Sequence, residues 1–526
     1  MNTIRLNRLL AYGAALLTLL SGCAGHDEPQ LPADDGDRSG VYLALRLSIP
    51  TESRDGNLPL GGEEGNGRDP GIRNENKITT VRLFFYQGGA EGVNAAGTTP
   101  IEHTVTFSDE NIISGQLYKV PMGKWYKPAE GTCVLCICNG GMTGDGVTTL
   151  GDLRDQLVAN PWGVCYDIPD ACRFVMTTAD ETAPYTSRVR YADGTTTYTG
   201  TWDNPYRLDI EVERVAARLD LLFNQSQVSG NELQYTVSNG IGDAGTLYLT
   251  HVVPVNVSKE STWFCKRVTT DFSTCTYLGD ETIDADHRPT NYVWEPHTTE
   301  KSSLPTGYTS WFTNPAEGFA FTDANALSHW LGHSGLIQTF ATPELDCDRY
   351  MPLTYANENT HQLTYDPRTV TGLAIAAVYV PQTVYSDADA TTTYAYTRGE
   401  DFWRYSTTTG EDLHATSTAI CFSNEAAAEA YRAAHVAEGG IVTKFTLGKC
   451  YYNVWARHGN LTDAEIGDGG ATWPLEFGIV RNNIYRIALS FTGPGTPEPV
   501  LRDPHNVRPR IYVRPWRQVT LEEIVT

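Results

Sequence analysis

Along most of this chain hydrophobic residues recur at every second position, and that alternation limits what it can fold into. The cleanest instance comes first: Val41, Leu43, Leu45, Leu47 and Ile49 point one way, and Tyr42, Ala44, Arg46 and Ser48 the other. A strand so patterned has one dry face and one wet face. Thr, Tyr and Val are plentiful, helical spacings are scarce, and Gly and Pro punctuate often. Short strands separated by turns then predict an all-β protein. At 526 residues the chain exceeds what one core serves. Two β-sandwich domains with a few short helices are expected, since short strands need a second layer over their dry faces.

Further strands are expected at 78–86, 132–139, 210–222, 246–257, 373–380, 441–445, 451–457 and 483–491. Thr149 and Asp152 form a capping-box pattern before Leu150, Leu153 and Leu157, which predicts a short helix over the first sheet. The alanine-rich stretch 424–438, capped by Ser423 or Asn424 and stopped by Gly439 and Gly440, is the strongest helix signal. Tyr191 to Thr201 reads as an exposed hairpin. Between Thr51 and Asn76 the sequence is Gly-rich and charged, too poor in apolar residues to bury itself, so an accessible loop is expected.

The amino terminus carries Arg5 and Arg8, an apolar run over 9–20, and then Ser21, Gly22 and Cys23. This is a secretory signal pattern with a cysteine placed for lipoprotein processing. The run is too short to span a bilayer, which takes about 20 apolar residues. The expected organisation is a signal peptide over 1–22, a lipidated propeptide over 23–54 containing the first strand, an amino-terminal domain over 55–209 and a carboxyl-terminal domain over 210–526.

With 63 acidic against 39 basic residues the formal charge is −24, which argues against nucleic acid as a partner. Cys133, Cys136 and Cys138 are spaced loosely like metal ligands. A strand would put Cys133 on one face and the other two on the opposite one, so buried thiols are expected and no metal site. No phosphate loop, zinc-protease helix or nucleophile elbow is present, so neither catalytic residues nor a cofactor are expected. Asp387 and Asp389 alternate without the glycine and glutamate of a calcium loop, which leaves a solvated loop. Trp263, Trp311 and Trp403 offer stacking surfaces for a glycan.

Several segments resemble one family, the fimbrillins of Bacteroidia-type (type V) fimbriae. They are Gly448 to His458 (GKCYYNVWARH), Leu475 to Ile487 (LEFGIVRNNIYRI) and Ile511 to Trp516 (IYVRPW), with Asn74 to Tyr86, Val134 to Asn139 and Val212 to Asp220 upstream. Residues 261–366 match nothing that can be anchored. The resemblance implies two transthyretin-like sandwiches and export as a lipoprotein to the outer membrane and cell surface. It also implies cleavage by an Arg-specific protease after the first strand, and replacement of that strand by the carboxyl-terminal strand of an identical or related fimbrial subunit.

Such an exchange needs a leaving strand with a buried face, which 41–49 supplies. It needs an exposed cleavage site, for which Arg54 is expected, with Arg68 and Arg73 as alternatives and Arg46 shielded in its strand. It also needs a matching donor, for which Ile511, Val513, Val519 and Leu521 share one side of the tail, interrupted by Pro515. Two other readings stay open: a monomeric, surface-anchored glycan-binding lipoprotein, and a fimbrial anchor or tip subunit.

Overall fold

The computed structural model describes residues 38–48, 75–112, 115–141, 144–163, 173–179, 187–229, 232–238, 240, 242–257, 261–270, 274–279, 282–283, 289–296, 338–339, 349–360, 369–408, 416–459, 476–499 and 507–515. The first strands are β1 (Tyr42–Ser48), β2 (Ile78–Tyr86), β3 (Ile101–Ile112), β4 (Leu117–Pro121), β5 (Cys133–Cys138), β6 (Leu157–Val158), β7 (Met176–Thr178) and β8 (Tyr206–Arg214). All but β6 join one seven-stranded sheet in the order β3-β2-β5-β7-β8-β1-β4. The sheet curls around one core, in which Leu43, Leu45 and Leu47 of β1 meet Val81, Leu83 and Phe85 of β2 and Leu208 and Ile210 of β8.

The chain continues through β9 (Ala217–Phe223), β10 (Val228–Ser229), β11 (Glu232–Ser238) and β12 (Ala244–Val255). Short strands follow: β13 (Thr262–Trp263), β14 (Arg267–Thr269), β15 (Thr276–Tyr277), β16 (Thr282–Ile283), β17 (Pro289–Val293) and β18 (Gln338–Thr339). The last are β19 (Arg349–Ala356), β20 (Gly372–Pro381), β21 (Phe402–Thr408), β22 (Thr416–Phe422), β23 (Ile441–Phe445), β24 (Lys449–Trp455), β25 (Asn483–Phe491) and β26 (Val507–Pro515). Two five-stranded sheets, β10-β11-β12-β20-β24 and β18-β19-β9-β25-β26, face each other as a sandwich. Leu221, Leu249, Ile375, Tyr452 and Ile487 are among the side chains that fill it. The molecule is therefore mostly β, as its alternation predicts.

Several expectations are refined. β8 stays whole in the first sheet, so a boundary between 209 and 210 cuts through it; the passage between the sheets falls at Val215 and Ala216. The helix after Thr149 covers only Leu150–Arg154, with its capping box in place, and Leu157 is an exposed residue of β6 instead. Leu150 and Leu153 do cover the outer face of β2 and β5, packing on Phe84 and Leu135. Asn424 caps the helix Glu425–Ala434, and Gly439 closes the following turn at φ 68°. The turn at Asp193 and Gly194 is exposed, yet Tyr198 is buried and Tyr191 stacks on Tyr206 at 4.3 Å. The unanchored region supplies β13 to β19, of which β19 completes the second sandwich against β9. Phe264, Cys265 and Leu278 from the same region complete the outer cover of β2 and β5.

Candidate functional site

β1 is held on both sides. It runs antiparallel to β4, with Leu43 opposite Val120 and Leu45 opposite Tyr118. It runs parallel to β8, with Leu43, Leu45 and Leu47 opposite Tyr206, Leu208 and Ile210. The three leucines are at most 1 % exposed. The expected wet face is confined to the strand's end, because Tyr42 and Ala44 are buried and only Arg46 is exposed. Tyr42 meets Trp202 edge-on at 5.2 Å, which covers that side. At the rim the Arg46 Nε lies 2.9 Å from an Asp209 oxygen, and Arg190 contacts the same carboxylate. Ile49, Cys23 and Arg54 lie outside the described residues.

Backbone bonds seal both ends of the strand. The Met122 N–H donates to the Val41 carbonyl at 2.8 Å and the Val41 N–H to Gly123, while the Gly115 N–H donates to Leu47 at 2.7 Å. The loop at the Val41 end is pinned by Tyr126, which stacks on His103 at 4.1 Å. The His103 Nε2 sits 3.0 Å from the Met122 carbonyl. Burial pulls the His103 imidazole below its ordinary value, outweighing that carbonyl. The neutral ring is thus favoured in the folded state. Its stabilising contribution is full above the unfolded value near 6.5 and is lost as pH falls from there through the lowered folded value. Acidification from pH 7.5 to 5 is expected to lower the melting temperature of the uncut chain, and His103→Phe to remove part of that slope.

The other half of the proposed exchange, β26, lies at the edge of its sheet, paired antiparallel with β25 so that Ile511 faces Ile487 and Val513 faces Tyr485 in register. Ile511 is buried in the second core. Val519 and Leu521 lie outside the described residues. The strand expected to leave and part of the expected donor are therefore each paired within their own sheets.

A knot of buried charge between the two cores was not read from the sequence. Glu75, expected at the end of a solvated loop, is 1 % exposed. Its carboxylate accepts from the Arg218 Nη1 at 2.8 Å and from the Tyr355 hydroxyl at 2.6 Å. Arg218 also grips Asp220 through both Nε and Nη2, at 2.8 and 2.9 Å. Arg486 Nε reaches Asp220 at 3.3 Å, and Arg214 donates to the Glu75 carbonyl and to Asn482. Burial would lower the Arg218 guanidinium, but Asp220 and Glu75 raise it well above its ordinary value. Nearby, Arg481 holds both oxygens of Glu358 at 2.7 Å and donates to the Trp263 and Phe264 carbonyls, tying down the cover at β13. Three of the family-like segments converge here, because each contributes a charged residue that is costly to bury alone.

The three cysteines of β5 divide as alternation predicts: Cys133 faces the outer cover, while Cys136 and Cys138 face the β1 core with their sulfurs 3.6 Å apart. Burial pushes the Cys136 thiol well above its ordinary value. Among the described residues no group of His, Cys, Asp and Glu is arranged to hold a metal ion, and no helix is long and apolar enough to cross a membrane. Trp263 lies under Arg267 and Trp403 under Lys444, so both rings already have cations on them; Trp311 is outside the described residues. Asp387 closes its own loop by accepting from Thr391 and Thr392.

Residues 443–520 match the family model of the major fimbrial subunit protein type IV, Fimbrillin, C-terminal. No curated protein matches the chain. Among solved structures, the fimbrillin FimA of Porphyromonas gingivalis is 15% identical, with 92% of this chain and 99% of that one covered at a TM-score of 0.36. The tip fimbrial protein Mfa3 of the same organism is 9% identical, with 90% and 99% covered at 0.34. The fimbrial anchor protein Mfa2 is 8% identical, with 91% and 99% covered at 0.24. The matched stretch runs from within β23 through β26, so the carboxyl-terminal part of the chain is similar to a fimbrillin carboxyl-terminal region. That match supports a fimbrial-subunit role and implies a cell-surface fimbrial location.

Proposed function

We propose that the chain is a polymerising fimbrial subunit. It is exported as a lipoprotein acylated at Cys23 and cut after Arg54 by an Arg-specific protease. It then joins its neighbours when their tail, with Ile511, Val513, Val519 and Leu521, takes the place of β1. The observation that carries this reading is the position of β1 in the interior of a sheet. Its departure frees the ladders of both β4 and β8 and leaves the spaces of Leu43, Leu45 and Leu47 open. Refilling them at about 1.5 to 3 kcal/mol per side chain supplies several kcal/mol toward a stable joint. Main-chain bonds add about 0.5 to 1.5 kcal/mol each. The fimbrillin match over 443–520 includes Ile511, Val513 and Val519 of that tail, which supports the reading.

Deletion of the residues after Pro509 is expected to leave cleavage intact and abolish filaments, as seen by sedimentation. Added peptide 507–526 should bind the cut, tail-less protein. Filaments from the tail-less chain contradict the assignment. The same reading predicts that cut, tail-less protein exposes Cys136 and Cys138, which lie behind β1. Their reaction with a thiol reagent should be fast after the cut, slow in the uncut chain, and slow again once the peptide is bound.

A further inference from the structure

We infer that the turn 199–204 is a strap across β1, and that Trp202 sets how readily this strand opens from its sheet. The turn leads into β8 and is rigid. The N–H groups of Thr199 and Gly200 both donate to the Asn204 carbonyl, and the Asn204 side chain reaches back to the Thr197 carbonyl at 2.8 Å. Gly200 sits at φ 75°, and a side chain there would run into the Tyr206 ring, so the turn is pressed onto the start of β8 in a conformation that glycine alone adopts freely. From that root it reaches over β1 to β4, the neighbour on the far side. The Gly200 carbonyl accepts the Tyr42 N–H at 2.8 Å, and the Trp202 ring meets the Tyr42 ring edge-on. The Lys119 Nζ, from β4, lies 4.5 Å from the centre of the Trp202 ring, and the Arg38 guanidinium carbon, from the residues leading into β1, lies 5.1 Å from it. Two cations on one indole hold the ring where it is. On the same outer face Ala44 stands in register between Lys119 and Arg207 and is fully buried.

The consequence follows from β1 being an interior strand. Flanked by β4 and β8, it cannot swing out sideways, and on the inner side Leu43, Leu45 and Leu47 meet the packed core. The outer side is its way out, and the strap lies over the amino-terminal half of that side. Toward the other end the outer face carries exposed Arg46 and Arg190 on the Asp209 carboxylate, a rim contact that water screens. The backbone bonds outside the ladders are biased the same way. Those from Val41 to Gly123, from Met122 to Val41 and from Tyr42 to Gly200 hold the amino-terminal end, against the bond from Gly115 at Leu47. β1 therefore opens from its Ser48 end, the end joined to the expected cleavage loop, and the Tyr42 end is the last to go. This deepens the exchange reading and rests on it for its consequence, which is that release of β1 after a cut waits on the strap.

Amide hydrogen exchange of the uncut, full-length chain tests this, since it needs neither a cut nor a neighbour. In the wild type, protection over 42–44 should exceed that over 46–48. Trp202→Ala should speed exchange over 42–48 by about ten- to a hundredfold, as expected for the loss of one aromatic pair and two cation contacts, and leave β2 and β5 unchanged. Lys119→Met, which keeps the stem and removes the charge, should give a smaller rise in the same place, and it carries the test if Trp202→Ala does not fold. Equal acceleration across the whole seven-stranded sheet would mean that Trp202 merely stabilises the domain, and unchanged exchange over 42–48 would mean that the turn restrains nothing; either overturns the inference. Protection over 46–48 that matches or exceeds that over 42–44 overturns the order of opening. Absence of filaments from the cut wild-type chain would instead defeat the exchange reading and leave the strap standing.

Discussion

An Arg54→Ala chain is expected to fold like the wild type and to remain monomeric under a trypsin treatment that converts the wild type to filaments. While 41–54 stays joined to the body, β1 keeps its place between β4 and β8, and any neighbour's tail must first displace it. Emptying the spaces of Leu43, Leu45 and Leu47 without a cut costs about 5 to 9 kcal/mol at 1.5 to 3 kcal/mol per side chain. At 1.4 kcal/mol per tenfold, this suppresses the vacant form by roughly three to six powers of ten. On the proposed reading, a cut after Arg54 would remove the local tether that returns β1 to its groove. Sedimentation and amino-terminal sequencing check the outcome. Normal assembly of the alanine chain moves the cut to Arg68 or Arg73.

The largest effect on stability is expected at Arg218. Replacing it with alanine leaves the Glu75 and Asp220 carboxylates in the interior without their main cation. Removing one partner of a buried pair costs about 3 to 5 kcal/mol, a large part of the roughly 5 to 15 kcal/mol that holds a domain together. Burial already raises the Asp220 carboxyl, with Arg218 pulling against it. Without that cation the carboxyl should take up a proton more readily. Urea unfolding should show the loss. Arg218→Lys should recover only part of it, since a single ammonium cannot grip Asp220 through two parallel bonds as the guanidinium does. A loss under about 1 kcal/mol would mean that the knot is solvated or repaired by Arg214 and Arg486.

Much of the fold was legible because strand periodicity is local. The alternation at 78–86, 441–445 and 483–491 matches strands with those limits. The split of Cys133 from Cys136 and Cys138 follows from the same rule. What stayed hidden depends on partners distant in sequence. Tyr42 and Ala44 sit at polar-face positions and are buried because Trp202, some 160 residues on, closes over Tyr42. Glu75 follows a charged, Gly-rich stretch and is buried because Arg218 and Tyr355 meet it from the second half. The covering role of Phe264, Cys265 and Leu278 was equally invisible, since they show no periodicity; Arg481 holds the Trp263 and Phe264 carbonyls, and the Leu278 N–H donates to the Lys266 carbonyl.

For the candidate site, β1 itself was readable as a strand from its own leucines. Its pairing with one antiparallel and one parallel neighbour was not, because β8 lies far along the chain. That pairing is what turns an amphipathic strand into an interior one. The carboxyl-terminal half repeats the pattern, with β25 parallel to β9 and antiparallel to β26.

The most direct measurement is the density at the β1 position in filaments grown from the cut protein. The account predicts a strand there that belongs to the neighbouring subunit's tail, with residues 41–48 gone from both. Residues 41–48 still lying between β4 and β8, with each tail still paired to its own β25, would contradict it.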